Sequence, residues 1–418
     1  SSKWTTNHKL LDTAYMVVRL TYDVDQFAQG LPNISTIIRG KKVLNPSDNS
    51  TAWSDNPALC AYDYLRDTKY GLGETAGNIL TASVTTAKGV CDQTVSLAAG
   101  GTQKRYTING VVDTANSIKS NIEQMLGSMI GRLVYSGGQF EIHAGKYVAP
   151  AFTVDESVAV GEITVQTKQS RRNAYNGVKG VFLSDDDNYI LADYPAQVSK
   201  TVAGSFEVGK RYQILTLVNG GSSTDFTAIG ASANTVGIDF TATGVGAGTG
   251  TASLFLAQDG HQIFLDMALP FTTNNIRAQR IAKLALLRSR QQEAITIPCN
   301  LSALRFKIGD NINVYNTRFG WTNPSKIFEV VGYSMAFSSD GQIVVNVDAI
   351  ETAASIWDWS TTDEEVFLGG GEVDLYDGSF AAAPTIINVT SDSFLSDDGT
   401  FNSQFKVAWV DADDAFTD

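Results

Sequence analysis

Four runs, "EAITIPC", "FKIGDNINVY", "SKIFEVVGYSMAFS" and "QIVVNVDAI", alternate apolar and polar residues with the two-residue period of a strand. A strand built this way must bury one face against neighbours. Four of them in succession, joined by Gly-Asp turns, predict a compact antiparallel barrel in a hub region that includes residues 301–350. The rest of the composition agrees, because 37 glycines stand against 9 prolines amid many Thr, Val and Ser. With 418 residues, 43% of them hydrophobic and 18% charged, the chain has material for two to four cores. The fold class expected is β-rich and multidomain (α+β).

The strand pattern recurs near the start. "AYMVVRLTYD" and "NISTIIRGKKV" are β-branched runs separated by "QGLPN". Two strands cannot make a stable sheet alone, so residues 1–45 read as part of a first barrel. Residues 46–160 read as a small α+β domain. In "WSDNPALCAYDYLRDTKYGLG", Asn56 caps a helix, Pro57 suits its first position, and Gly71 and Gly73 mark its exit. Ala58, Tyr62 and Leu65 share one face. A second helix carries Ala115, Ile118, Ile122, Met125 and Met129, and a "SGG" turn joins "GRLVY" to "QFEIHA". Residues 161–365 read as a second region containing the barrel. They are interrupted at 202–254 by a stretch of mostly Gly, Thr, Ala and Val with short strands and no helix signal, an inserted small β domain. Removing it would join "DYPAQVSK" to "AQDGHQIFLDMALPF", strand to strand. Residues 366–418 read as an acidic, Gly-rich linker, then Pro384, an alternating strand and Trp409, the start of a fibronectin type III-like sandwich. The chain opens without Met and ends in mid-pattern, which reads as a segment of a longer polypeptide.

One stretch breaks the charge balance. "RAQRIAKLALLRSRQ" places five basic residues in a chain of formal net charge -13. At about 100° per residue, Ala278, Ile281, Ala282, Ala285 and Leu286 cover one side of a helix. Arg277, Arg280, Lys283, Arg288 and Arg290 occupy the other, joined by Leu284 and Leu287. Leucines among arginines suit a protein interface, where Arg is enriched and its carbon stem packs. They suit a plain solvated face less well, and nucleic acid or a membrane surface least, since the apolar side lacks Trp or Phe anchors. The helix is therefore expected to pack its alanine side inside the protein and to offer its arginines to protein carboxylates. The acidic balance argues against general nucleic-acid binding.

Catalytic chemistry has little to work with. His8, His143 and His261 are far apart in the chain, and no nucleophile elbow or zinc-binding helix is spelled. "GSFEVGKR", Gly204 to Arg211, nearly spells a phosphate-binding loop, but Arg211 stands where a magnesium-binding Ser or Thr belongs and a strand follows instead of a helix. Asp185, Asp186 and Asp187 lack the alternating spacing of a calcium loop and read as a turn. Cys60, Cys91 and Cys299 make neither a disulfide framework nor a metal set and read as buried thiols. Four sequons for Asn glycosylation occur without a secretory signal. No catalytic, cofactor-binding or metal-binding residue is nominated, no cofactor is expected, and no run is long enough for a membrane span.

Taken in order, "AWSDNPALCAYDYLRDTKYGLG", "SRRNAYNGVKGVF" and "RAQRIAKLALLRSRQ…ALRFKIGDNINV…GW" resemble the tail-tip hub family of long-tailed bacteriophages, which includes the host-specificity (tip attachment) protein J. The resemblance covers most of residues 1–365 outside the insert. It implies a structural virion protein without enzymatic activity, with tandem hub barrels, at the distal end of the phage tail. It implies a homotrimer that closes the tail tube, and as partners the tail tube or distal tail ring, other tail-tip and fibre proteins, and a host receptor reached through further C-terminal regions. Two other classes remain open on the residues: a cell-surface or carbohydrate-binding adhesin, and a tail-associated cell-wall hydrolase.

Overall fold

The structure is a computed structural model that describes residues 7, 15–21, 34, 36–167, 174–337, 341–367, 385–395 and 401–410, the last two segments and residues 323–324 without their side chains. Residues 1–42 and 43–418 are separate compact units. In the first, the strand expected across "AYMVVRLTYD" is not formed at 15–21, nor does "STIIRGK" make one across 36–41. Val17, Ile37 and Ile38 are 82%, 70% and 63% exposed. Alternation supplies a surface that fits a sheet, but only a bonded neighbour makes a strand. Regular structure begins with β1 (Lys42–Asn45), paired with β2 (Ser50–Trp53).

The helix after β2 starts as its residues dictate. α1 (Pro57–Arg66) is capped by Asn56, whose side-chain oxygen accepts from the Ala58 and Leu59 amides. The Asn56 amide nitrogen donates to the Lys88 carbonyl at 3.1 Å, tying α1 to α2 (Thr81–Cys91), a helix without a sequence signal in its Thr- and Ser-rich first turns. Gly71 is required where the chain leaves α1, because a Cβ there would lie 1.8 Å from the Tyr64 carbonyl oxygen. The short ladder of β3 (Thr94–Ser96) with β4 (Thr102–Lys104) follows. The second predicted helix forms as α3 (Ile118–Gly127), three residues shorter at its start and two at its end than its apolar stripe. Ala115 precedes it, Met129 follows it, and Ile118 is exposed. β5 (Arg132–Ser136) and β6 (Gln139–His143) meet through Gly137 and Gly138, whose φ of 60° and 85° suit a two-residue hairpin turn.

After β7 (Phe152–Val154) and β8 (Thr164–Gln166) come β9 (Gly177–Ser184) and β10 (Ile190–Val198), with Asp185 to Asp187 in the turn between them. The insert is a four-stranded sheet of β11 (Thr201–Val202), β12 (Arg211–Thr216), β13 (Asp239–Thr241) and β14 (Thr251–Ser253), in the order β11–β14–β12–β13. Phe206, Tyr212, Phe226 and Phe240 centre an apolar core of its own. A short helix, α4 (Leu254–Asp259), closes it where strand was expected, started by the Ser253 cap. The flanking strands do not read through as one. β10 and β15 (Phe264–Asp266) lie on opposite sides of β9, antiparallel and parallel to it.

The basic stretch is α5 (Asn275–Ser289), and β16 (Ala294–Cys299), β17 (Asn311–Asn316), β18 (Trp321–Phe337) and β19 (Ile343–Glu351) follow it. With β7 and β8 they make a six-stranded mixed sheet in the order β7–β17–β18–β19–β16–β8, antiparallel except for the β7–β17 pair. Ile295, Ile297, Ile312, Phe328 and Val347 fill its core. β17 is shorter than "FKIGDNINVY", because Lys307 to Asp310 form the turn into it. Between β7 and β8 the chain crosses this core at Val158 and bonds the end of β16 through Val160 and Asn300. No ladder joins β7 directly to β8 among the described residues.

The other large core draws on 43–142 and on 178–286 together, so α1, α2, α3 and β6 share their apolar interior with β9, β10 and α5. Near the C-terminus β20 (Thr385–Leu395) and β21 (Phe401–Val410) form a hairpin in which Ile386 pairs with Trp409. Pro384 and most of the predicted linker lie outside the described residues. The protein is thus β-rich, with few helices and a mixed multi-stranded sheet.

Candidate functional site

α5 forms because none of its fifteen positions is Gly or Pro and Asn274 caps it, accepting from the Arg277 amide at 3.3 Å. Arg288 in the last turn and Arg290 at the C-cap complement the negative end of the helix dipole. Ala278, Ile281, Ala282 and Leu286 enter the large core against Val178 and Phe182 of β9 and Ala192 and Tyr194 of β10. The small alanines let the helix lie close to the sheet. The Tyr175 hydroxyl, just ahead of β9, donates to the Ala285 carbonyl at 3.2 Å.

The opposite face is covered as well, which the helical wheel does not reveal. Residues 353–367 run across it as two short 3-10 turns and extended chain, a strap that seats two tryptophans on the basic side chains. The Arg288 guanidinium lies 5.5 Å from the Trp357 ring centre, and Arg280 and Lys283 lie 5.2 and 5.7 Å from that of Trp359. Lys283 donates to Asp363 at 2.8 Å and to the Asp358 carbonyl at 3.0 Å. Buried Gln279 holds the strap as a sheet neighbour would: its amide nitrogen donates to the Glu365 carbonyl and its oxygen accepts from the Glu365 amide. Leu284 is therefore only 2% exposed instead of lying on an open face.

Each cation has an in-chain partner, a carboxylate for some and a backbone carbonyl for others. Arg290 makes a two-pronged pair with Asp259 of α4 and donates to the Tyr175 carbonyl at 2.7 Å. Arg288 faces Glu329 of β18 at 3.4 Å, and Glu329 also accepts from Arg132 of β5, so one carboxylate bridges the two large cores. Arg277 donates to the Lys104 carbonyl. Arg280 departs from the expectation of carboxylate partners. At 1% exposure it gives a single 2.8 Å hydrogen bond to the Arg105 carbonyl, with its Nε and Nη2 unpartnered. Burial, and then the neighbouring Arg105 and Arg277, lower its pKa to about 10, still charged near neutrality. The strap carboxylates are engaged elsewhere, Asp363 by Lys283, Glu364 by the Ala98 amide in the β3–β4 turn and Glu365 by Lys200.

Beside Glu329 sits the most concentrated group of titratable side chains outside α5. His143 Nε2 lies 3.5 Å from Glu141, which also accepts from Lys307 at 3.1 Å. Burial, then the charge of Arg132, holds the His143 pKa below its ordinary value. Burial also lowers the Arg132 pKa, to about 10. The cavity that Arg132, His143, Arg288 and Glu329 line is about 50 Å³, room for a few waters and not for an organic substrate. A larger open groove of about 430 Å³ lies between the loop after β7 and the β17–β18 turn, lined by Asp155, Glu162, Tyr315, Arg318 and Phe319. Neither arrangement presents a nucleophile with its base.

The remaining motifs resolve into local structure. Gly204–Arg211 runs into β12, and Arg211 pairs with Asp239 at 2.6 Å, so no helix N-terminus faces a phosphate there. His261 contacts the Asp259 carbonyl, and His8 lies outside the described residues. Burial pushes the Cys60 and Cys91 thiols up to about 12 and Cys299 to about 11, far from a reactive thiolate. Among the described residues no cluster of three or more His, Cys, Asp or Glu side chains could hold a metal ion, and no helix is long and apolar enough to cross a membrane.

The chain has recognisable relatives. It is 24% identical over 196 residues to baseplate hub protein pb3 of Escherichia phage T5, across 42% of this chain and 20% of that protein. It is 26% identical over 192 residues to tip attachment protein J of Escherichia phage SECphi27, across 41% and 16%. The aligned part is thus about a fifth or less of the length of these curated relatives. No protein-family model matches. Among solved structures, the tail protein from Neisseria meningitidis MC58 overlays with a TM-score of 0.34 at 12% identity, covering 68% of each chain. A chain of the native gene transfer agent virion does so with a TM-score of 0.34 at 13% identity, covering 64% of this chain and 44% of that one. Overlays this loose fix no fold. The similarity to hub and tip attachment proteins falls on the same family that the ordered motifs resemble: over about two fifths of its length the chain is similar to tail-tip hub and J-like proteins of bacteriophages.

Proposed function

We propose that this protein is a structural subunit of the hub at the distal end of a phage tail, where it closes the tail tube and joins it to host-attachment parts for DNA delivery. The observation that carries this reading is the state of α5. The most basic element in the chain spends its charges on Glu329, Asp259, Asp363, backbone carbonyls and two tryptophans of the same chain, which makes it a brace between cores and not a reactive or DNA-gripping surface. A conduit for DNA benefits from an acidic wall, because phosphate-binding arginines slow release; the net charge of -13 fits that need.

In this reading the chain acts as a homotrimer without catalytic activity. Residues 1–45 contribute to a first hub barrel, 46–160 to an α+β domain, and 161–365 to a second barrel region that carries the insert. Residues 366–418 lead into a fibronectin type III-like domain. The partners are tail tube or distal ring proteins and other tail-tip and fibre proteins. Gold-labelled antibody raised against this chain tests the assignment on intact particles. Label confined to the distal tail end is the expected result; label along the tail shaft or on the head would overturn it.

A further inference from the structure

Ten side-chain nitrogen or oxygen atoms among the described residues are buried without a hydrogen-bond partner, and six of them belong to just five residues, Gln103, Arg105, Arg280, Trp359 and Glu364. Gln103 and Arg105 lie in and just after β4, Arg280 is on α5, and Trp359 and Glu364 belong to the strap itself. Arg280 of α5 stacks on Trp359 and bonds the Arg105 carbonyl, and Glu364 accepts from the Ala98 amide in the β3–β4 turn. At Arg280, Trp359 and Glu364 the closed strap thus keeps polar atoms from water without pairing them, and that penalty is recovered when the strap lifts. What holds it down is largely polar: the Lys283–Asp363 and Lys200–Glu365 ion pairs, the Gln279–Glu365 exchange and the tryptophans over the cations. Its apolar anchors are few, chiefly buried Ile356 and Phe367 edge-on to Phe182 at 5.4 Å.

We propose that residues 353–367 are a releasable strap, which detaches from α5 as a unit while α5 and both large cores stay folded. The balance of forces sets its properties. Ion pairs and cation–π contacts weaken with salt, whereas the alanine side of α5, buried against β9 and β10, does not depend on the strap. The strap precedes the β20–β21 hairpin in the chain, so a load applied to the C-terminal part reaches α5 through it. Release would bare the guanidinium of Arg280 and the Lys283 ammonium together, turning a neutralised brace into a basic face. This goes beyond the hub assignment and stands or falls separately from it, since it concerns the fold alone.

Hydrogen exchange of the 418-residue chain, read by mass spectrometry, tests it. The Glu365 amide and its strap neighbours are expected to exchange at least about 100-fold faster than β19 amides, the mark of a sub-global opening. Raising salt from about 0.05 to about 0.5 M should accelerate strap exchange about threefold or more and leave β19 unchanged. Trp359→Ala and, separately, Asp363→Asn should each accelerate it further without altering β19. Strap and β19 amides exchanging at one rate would overturn the proposal, because opening would then be global unfolding. So would loss of α5 protection in step with the strap, which would mean the helix unravels instead of being uncovered.

Discussion

Replacing Arg290 with alanine should weaken the large core by about 3–5 kcal/mol, the usual cost of removing one partner from a buried ion pair. The site justifies the upper class of effect, since the Arg290 and Asp259 side chains are only 6% and 18% exposed and meet through two parallel hydrogen bonds. The truncation strands the Asp259 carboxylate and the Tyr175 carbonyl that Arg290 also serves. It removes as well the cation over Phe255, 4.6 Å from the ring centre. Asn176 still donates to Asp259 at 2.9 Å, which keeps the loss from running higher. Removing both charges with Arg290→Met and Asp259→Leu should restore about 2–3 kcal/mol, because no charge is then left unpaired and only the Tyr175 carbonyl and one Asn176 N–H lose their partners. Native-state hydrogen exchange of β9 amides reads this core directly. Arg290→Ala should speed it roughly 100-fold or more, and the double variant should recover most of that. A double variant no slower than Arg290→Ala, or a single variant within about 0.5 kcal/mol of the parent, would refute the pair as the tie between α4 and α5.

Other perturbations separate the remaining claims. Arg280→Met should stay within about 2 kcal/mol of the parent, since relief of two unpartnered N–H groups offsets the lost bond to the Arg105 carbonyl, while Arg280→Glu should lose at least about 3 kcal/mol; equal urea midpoints for the two variants would contradict this. His143 is more readily protonated in the unfolded chain than in the fold, so its contribution is full above pH of about 6.5 and is lost as pH falls through its lowered folded value. His143→Gln should flatten that part of the stability–pH curve, and an unchanged slope would remove His143 as its source. Deleting 202–254 with a two-residue bridge should leave the melting of the remainder within about 1 kcal/mol, because the insert has its own core and its entry and exit strands, β11 and β14, are hydrogen-bonded neighbours; failure of the deleted chain to fold would show that the insert supports the other cores.

Much of this architecture is legible in the residues, and the rest is not for definable reasons. The Asn56-Pro57 start, the Gly137-Gly138 turn and the apolar face of α5 are local signals, set by capping, positive φ and helical period, and the structure places them where those signals put them. The composition of the insert changes abruptly, but its Gly, Thr, Ala and Val do not announce the aromatic interior. What stays hidden is long-range. Nothing in the period of α5 says that a strap some eighty residues later covers its basic face, although "WDWSTTDEE" carries the aromatic and acidic chemistry such a face would attract. The parallel placement of β15 beside β9 depends on how the chain returns from the insert, which alternation does not encode. α2 escapes notice because its buried side is Ser83, Val84, Ala87 and Cys91, too weak a stripe to stand out from a strand. Arg280 misleads in the opposite sense, as a charge that looks exposed and is among the largest fully buried side chains.

Cryo-electron microscopy of the intact particle locates this protein directly. Density for residues 43–365 is expected at the distal end of the tail tube, in three symmetry-related copies, with α5 and its strap inside each subunit. Finding the chain elsewhere in the particle, or as an isolated surface appendage away from the tube axis, would contradict the hub assignment.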